Sequence, residues 1–203
     1  MTDNEMLSSI KEEALANHVP ILQDVSLEAI KMILRIARPD KILEIGTAVG
    51  YSAIQFVKCL KDVKKDVKVK TIEIKEESYN IALKNIEKMG LNSNIEVINA
   101  DAREYLINID EKKEQFDVVF IDAAKGQYLV FLENAIRLVK NGGIIIADNV
   151  LFKGMVLSDY NEHKNRTAVN RLRNYLKIIN EDKRLKSTLL EIGDGIAVSI
   201  VNK

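Results

Sequence analysis

Short apolar runs rich in Val and Ile alternate along the chain with longer stretches in which apolar side chains recur every three or four residues. The runs at 41–46 (KILEIG), 67–74 (VKVKTIEI), 94–100 (NIEVINA), 116–122 (FDVVFID) and 143–148 (GIIIAD) are too short for helices and strongly β-branched. They predict parallel strands covered on both faces. Between them, 51–61, 76–89, 127–140 and 165–180 have helical period, as with Tyr79, Ala82, Leu83, Ile86 and Met89 on one face before the stop at Gly90. Upstream, Leu27, Ile30, Ile33, Leu34 and Ala37 form one face of a helix that Pro39 ends. STLLEI and IAVSIVN flank the turn GDG and predict a closing antiparallel hairpin. The pattern as a whole predicts an α/β fold with a seven-stranded, mostly parallel sheet and helices on both faces. At 203 residues the chain suits a single domain, with helices over 1–38 and the sheet-bearing core over 39–203.

In such sheets ligands bind outside the carboxyl ends of the strands, where strand order reverses. Those ends carry Glu44 and Gly46, then Glu73, then Asp101 and Ala102, then Asp122 with Lys125 three residues on, and finally Asp148 beside Asn149. The turn EIGTAVGYS lets a ligand come close at its glycines. It lacks the G-x-G-x-x-G spacing that cradles a pyrophosphate, which counts against a nicotinamide-dependent oxidoreductase. E-x-G-x-x-x-G suits instead a ligand bearing a carboxylate and an amine, and Glu73 is placed to accept from both hydroxyls of a ribose. Together they point to S-adenosylmethionine. Asp122, Asp148 and Asn149 bring three oxygen donors from neighbouring strand ends, the set a hard divalent cation such as Mg²⁺ takes, with Mn²⁺ equally served. Taken singly, Asp122 also reads as a helix cap and Asp148 with Asn149 as a turn.

Composition narrows the class. A hydrophobic share of 47% and a charged share of 30% are those of an ordinary folded chain, and no repeat or low-complexity tract interrupts it. No apolar run reaches membrane-spanning length, no secretory signal opens the chain, and the lone Cys59 cannot form an internal disulfide. The expectation is a cytoplasmic protein without a membrane partner. Formal net charge is zero but unevenly spread: 1–30 sets Lys11 against Asp3, Glu5, Glu12, Glu13, Asp24 and Glu28, whereas 151–190 is mainly basic. Lys153, Arg166, Arg171 and Arg173 in that segment could steer an anionic substrate or simply form a solvated face.

LEIGTAVGYSA, FIDAAKGQY and IIADNVLFKG resemble the first motif, the fourth-strand motif and the metal motif of class I S-adenosylmethionine-dependent O-methyltransferases of the catechol and caffeoyl-CoA type. The resemblance runs from about Val19 to Ile200. It implies a Rossmann-like methyltransferase fold, with Val19, Glu44, Gly46, Ser52, Glu73, Asp101, Ala102 and Asp122 around the cofactor. It also implies Asp122, Asp148 and Asn149 as metal ligands, Lys125 as base or electrostatic partner of the reacting oxygen, and a homodimer. AKGQY, DNVLFKG, RTAVNRLRNYL and IGDGIAVS most resemble the compact bacterial members, and the chain lacks the N-terminal extension and insertion loop of the plant caffeoyl-CoA enzymes. Some of those bacterial members convert 5-hydroxyuridine at the tRNA wobble position to 5-methoxyuridine. A tRNA is therefore the first expected substrate, with Lys153, Arg166, Arg171 and Arg173 as phosphate contacts, and a small catechol-like phenol the second.

Overall fold

A computed structural model describes residues 2–64, 66–160 and 162–203. Helices α1 (Asp3–Ala16) and α2 (Asp24–Ala37) precede an alternation of β1 (Lys41–Ile45), α3 (Tyr51–Leu60), β2 (Lys68–Glu73), α4 (Glu76–Lys88), β3 (Ile95–Asn99), α5 (Ala102–Ile107), β4 (Phe116–Ile121), α6 (Tyr128–Leu138) and β5 (Val139–Ala147). α7 (Arg166–Glu181), β6 (Leu185–Leu190) and β7 (Ile196–Val201) follow. The sheet order is β3-β2-β1-β4-β5-β7-β6, parallel except for β7, which lies antiparallel to both its neighbours. The predicted fold class is the one observed.

Alternation along each strand explains why the runs read as continuously apolar. In β1, Leu43 and Ile45 enter the core shared with α6 and α7, while Ile42 enters the one shared with α1 to α4. β4 divides its side chains the same way, Val119 and Ile121 to one side and Val118 and Phe120 to the other. Phe120 meets Phe56 of α3 edge to face, with ring centroids 5.2 Å apart. A strand with two buried faces has no polar period to show.

Register places the chemistry. Ile45 pairs with Ile72 and with Ile121, and Ile121 with Ala147, so β2, β1, β4 and β5 finish nearly level. The ladder then runs one residue past the strands: Gly46 N–H donates to Ile72, Asp122 N–H to Ile45 and Asp148 N–H to Ile121, each at 3.0 Å. Strand order reverses between β1 and β4, and the residues beyond that rung flank the reversal.

Three local features differ from the sequence expectation. β5 begins at Val139 rather than 143, with Val139 opposite Phe116 and a register shift before Ile144 pairs with Val118. A six-residue helix, α5, follows Asp101, whose carboxylate accepts the Arg103 N–H; fewer than two turns of helix are too short to show a period. GDG is not a tight three-residue hairpin turn, because β6 ends at Leu190 and 191–195 link it to β7. The carbonyls of Asp194 and Gly195 instead accept from Leu151 and Val150, so the link is spent on the segment that leaves β5. No helix among the described residues is long and apolar enough to cross a membrane.

The turn after β1 yields a stability prediction. A Cβ on Gly46 would lie 2.0 Å from the Asp122 carbonyl oxygen at φ +103, whereas one on Gly142, also at positive φ (+77), meets nothing within 4 Å. Gly46→Ala is expected to cost about 3 kcal/mol or more and Gly142→Ala about 1 kcal/mol in denaturant unfolding. Equal costs would show that backbone strain, not the close approach, keeps Gly46.

Candidate active site

A cleft of about 1160 Å³ opens at the carboxyl edge of the sheet. Val19, Gly46, Ser52, Glu73, Asp101, Ala102, Asp122, Lys125 and Asn149, all expected from sequence, line it. Glu44 and Asp148 do not reach its surface; both are 0% exposed.

On the β1–β2 side, a hydroxyl chain holds Glu44. Thr71 Oγ1 donates to Glu44 Oε2 at 2.6 Å and lies 2.6 Å from Thr47 Oγ1, while Glu44 Oε1 has no hydrogen-bond partner among the described residues. Burial pushes the Glu44 carboxyl up to about 7, against the pull of the Ser52 and Thr71 hydroxyls. Glu73 accepts the backbone N–H of Ala48 at 2.8 Å and of Lys75 at 2.9 Å, one on each oxygen, which fixes its carboxylate and leaves each oxygen further acceptor capacity. Asp101 caps α5, and the Arg103 guanidinium against it holds its carboxyl below the usual range.

On the β4–β5 side, two carboxylates, an amide and an ammonium converge. Asn149, at φ 57, turns its side chain back so that Nδ2 donates to Asp122 Oδ1 at 3.3 Å. Lys125 Nζ lies 3.6 Å from Asp122 Oδ1 and donates to the Tyr128 hydroxyl at 2.8 Å, which donates to the Asp148 carbonyl oxygen at 2.8 Å. Neither carboxylate oxygen of Asp148 has a partner among the described residues. Burial first, and the Asp122 charge second, push its carboxyl up to about 7. Burial also lowers the Lys125 pKa, against the attraction of Asp122 and Asp148. Buried, unpartnered carboxylate oxygens are costly and rare, and a bound cation is one of the few things that relieves them. Among the described residues no three His, Cys, Asp or Glu side chains cluster for a metal, so the amide of Asn149 is what completes this oxygen set.

The basic residues divide. Arg173 donates to the carbonyls of Met155, Val156, Ser158 and Tyr160, and Arg171 to that of Gly126, so both guanidinium groups are engaged in holding loops. Lys153 and Arg166 are exposed, and their side chains make no hydrogen bond or ion pair among the described residues. None of the four lines the cleft. The sequence reading assigned no role to Thr71, Tyr128 or Asp194. Asp194 accepts the Lys153 N–H and its charge adds to those that raise the Asp148 carboxyl, yet GDG carries only a turn signal in sequence. Tyr128 follows Lys125 at a one-turn spacing, which was a usable signal.

The chain matches the O-methyltransferase family over residues 1–201. It is 32% identical to a caffeoyl-CoA O-methyltransferase of Stellaria longipes over 177 residues, 83% of this chain and 71% of that protein. It is 31% identical to a catechol O-methyltransferase of Niastella koreensis over 178 residues, covering 85% and 78% respectively. The crystal structure of an O-methyltransferase from Bacillus cereus in complex with SAH superposes with a TM-score of 0.85 at 30% identity, covering 98% of this chain and 91% of that one.

Glu44 gives a pH prediction. Its carboxyl titrates near 7 in the folded chain rather than at 4.5, so the stability it contributes is full at pH 4 and is lost as pH rises through 7. Glu44→Gln should match the wild type in thermal unfolding near pH 4 and exceed it by about 3 kcal/mol above pH 8, the worth of the shift. Parallel curves would mean that the carboxylate is already compensated in the unliganded protein.

Proposed function

The chain belongs to the S-adenosylmethionine-dependent O-methyltransferase family of the caffeoyl-CoA and catechol type, and from that premise we propose that it methylates one of two adjacent oxygens of its substrate with the help of a divalent cation. The substrate we assign first is 5-hydroxyuridine at the wobble position of tRNA. Family membership removes the nicotinamide-dependent alternative. The observation that carries the cation is Asp148, fully buried beside Asp122 and Asn149 with neither carboxylate oxygen partnered among the described residues.

Those three residues fit Mg²⁺, the Asn149 amide presenting oxygen instead of nitrogen after a half-turn of its side chain. When bound, the cation supplies positive charge that offsets two carboxylates and favours the ionised form of a substrate hydroxyl. S-adenosylmethionine fits the other half of the cleft. Gly46 and Ser52 line that half, Glu44 lies beneath it with one carboxylate oxygen held by Thr71, and Glu73 is fixed for a ribose diol. Lys125 stands between the halves. Its ammonium stabilises an oxyanion, and in its neutral form, which burial favours, it accepts the hydroxyl proton. The acceptor oxygen then attacks in line, an O–C bond forms as the sulfonium S–C bond breaks, and the electron pair goes to sulfur.

Two adjacent oxygens are required because one must be methylated while its neighbour helps fix its position. The hydroxyl and carbonyl of 5-hydroxyuracil satisfy this, as do the hydroxyls of a catechol. Exposed Lys153 and Arg166, in the basic segment after β5, support the tRNA reading, with the target base splayed into the cleft. The names of the curated relatives support a catechol-like phenol as the second reading.

Asp148→Ala, or chelation of the wild type, should lower methyl transfer by at least about 100-fold, with activity after chelation restored by Mg²⁺. Full activity in either case would end the cation proposal. For the substrate, nucleoside mass spectrometry of tRNA from cells lacking the gene should reveal accumulated 5-hydroxyuridine, and Lys153→Ala with Arg166→Ala should weaken tRNA binding and flatten its salt dependence. An unchanged nucleoside profile together with turnover of a catechol would give the site to small phenols.

A further inference from the structure

Lys125 and Tyr128 sit at the two ends of a single 3-10 turn (Lys125–Gln127), so the spacing K-x-x-Y brings their side chains together. The ammonium donates to the Tyr128 hydroxyl at 2.8 Å and lies over the ring, 5.0 Å from its centroid, so the hydroxyl adds a directional bond to a contact that the ring alone would also offer. The hydroxyl in turn donates a hydrogen bond to the Asp148 carbonyl oxygen at 2.8 Å. Its ring has no freedom to follow the lysine. It is 1% exposed at the start of α6 and packs edge to face on Tyr175 at 5.6 Å and 82°.

The consequence is geometric. A lysine ammonium has three N–H groups on a stem with four rotatable bonds, and a surface lysine spreads them over many rotamers. Here one N–H is taken by Tyr128 and another is drawn toward Asp122 Oδ1 at 3.6 Å, which leaves one for the cleft. The hydroxyl that fixes the ammonium also bonds the backbone of β5's first exit residue, so the lysine and the Asp148 main chain share one anchor buried in the core.

We propose that Tyr128 is a positioning residue for methyl transfer: its hydroxyl, accepting from Lys125 and donating to the Asp148 carbonyl, holds the lysine ammonium at the acceptor oxygen. The proposal rests on Lys125 acting at that oxygen, as argued above. It requires that loss of one hydroxyl slow the chemical step without altering how substrate or cofactor binds.

Tyr128→Phe keeps the ring and removes the hydroxyl; Tyr175→Phe is the matched control, since the Tyr175 hydroxyl is buried and has no hydrogen-bond partner among the described residues. Expected for Tyr128→Phe is a fall in kcat of about tenfold or more, with KM and the affinity for S-adenosylhomocysteine within about twofold, while Tyr175→Phe keeps wild-type kcat. In the Lys125→Ala background Tyr128→Phe should add no further loss. Equal losses in the two Tyr variants, or a full further loss in the Lys125→Ala background, would reduce Tyr128 to packing. A second readout needs no turnover: the rate at which acetic anhydride modifies Lys125, followed by peptide mass spectrometry, should rise several-fold in Tyr128→Phe and not in Tyr175→Phe. An unchanged rate would overturn the clamp. If the wild type methylated neither tRNA nor catechol, the functional reading would fall, and the labelling rates would still decide whether Tyr128 holds Lys125.

Discussion

Three backbone N–H groups that continue the parallel ladder one residue beyond its strands govern the site. Gly46, Asp122 and Asp148 donate to the carbonyls of Ile72 in β2, Ile45 at the end of β1 and Ile121 at the end of β4, each at 3.0 Å. A residue whose N–H is tied to the neighbouring strand has little freedom in where its Cα lies, so the carboxylates at 122 and 148 inherit their separation from sheet register rather than from loop packing. Register in turn follows from burial on both faces, because a one-residue slip would carry every apolar side chain into the wrong core. Hydrophobic burial, which is non-directional, thereby acquires direction at the strand ends.

The same edge concentrates electrostatic cost. Glu44 and Asp148 are both shut away from solvent, each with at least one carboxylate oxygen lacking a partner, and burial pushes both carboxyls up to about 7. Asp122, between them in the sheet, is a like charge that acts on both. Sites that retain such groups give up stability for readiness, since the charge they lack is brought by a ligand. Thr71 orients one carboxylate through its side chain, and Tyr128 orients the other's backbone, so each half of the cleft has a hydroxyl beneath it that fixes geometry without facing the cleft.

Most of this was legible in the residues. Strands two-sided in their burial leave unbroken Val and Ile runs, and polar side chains that end such runs have little structural reason to be there, which is how Glu73, Asp122, Asp148 and Asn149 stand out. What escaped has physical causes. α5 is a capped helix of only six residues, and β5 begins with an irregular pairing to β4 that has no period. Arg171 and Arg173 look in sequence like Lys153 and Arg166, and only tertiary packing shows that their guanidinium groups already serve loop carbonyls. Tyr128 reads as core, which it is; its second task depends on where one hydroxyl points. GDG reads as a turn because glycines dominate it, and no local rule says that its carbonyls will be claimed by residues more than forty positions earlier.

That last contact bears on the order in which the molecule is assembled. β7 follows β6 in sequence, yet it lies between β5 and β6, and the residues just before it bond Val150 and Leu151. Until residue 196 and those after it have left the ribosome, β5 has an open edge and the segment following Asp148 has no partner strand to settle against. The carboxylate at the centre of the site is thus made long before its surroundings are. A nascent chain stopped before residue 196 would carry every proposed ligand residue and still leave β5 with an open edge, so the site's chemistry is laid down in the chain before the strand that flanks it.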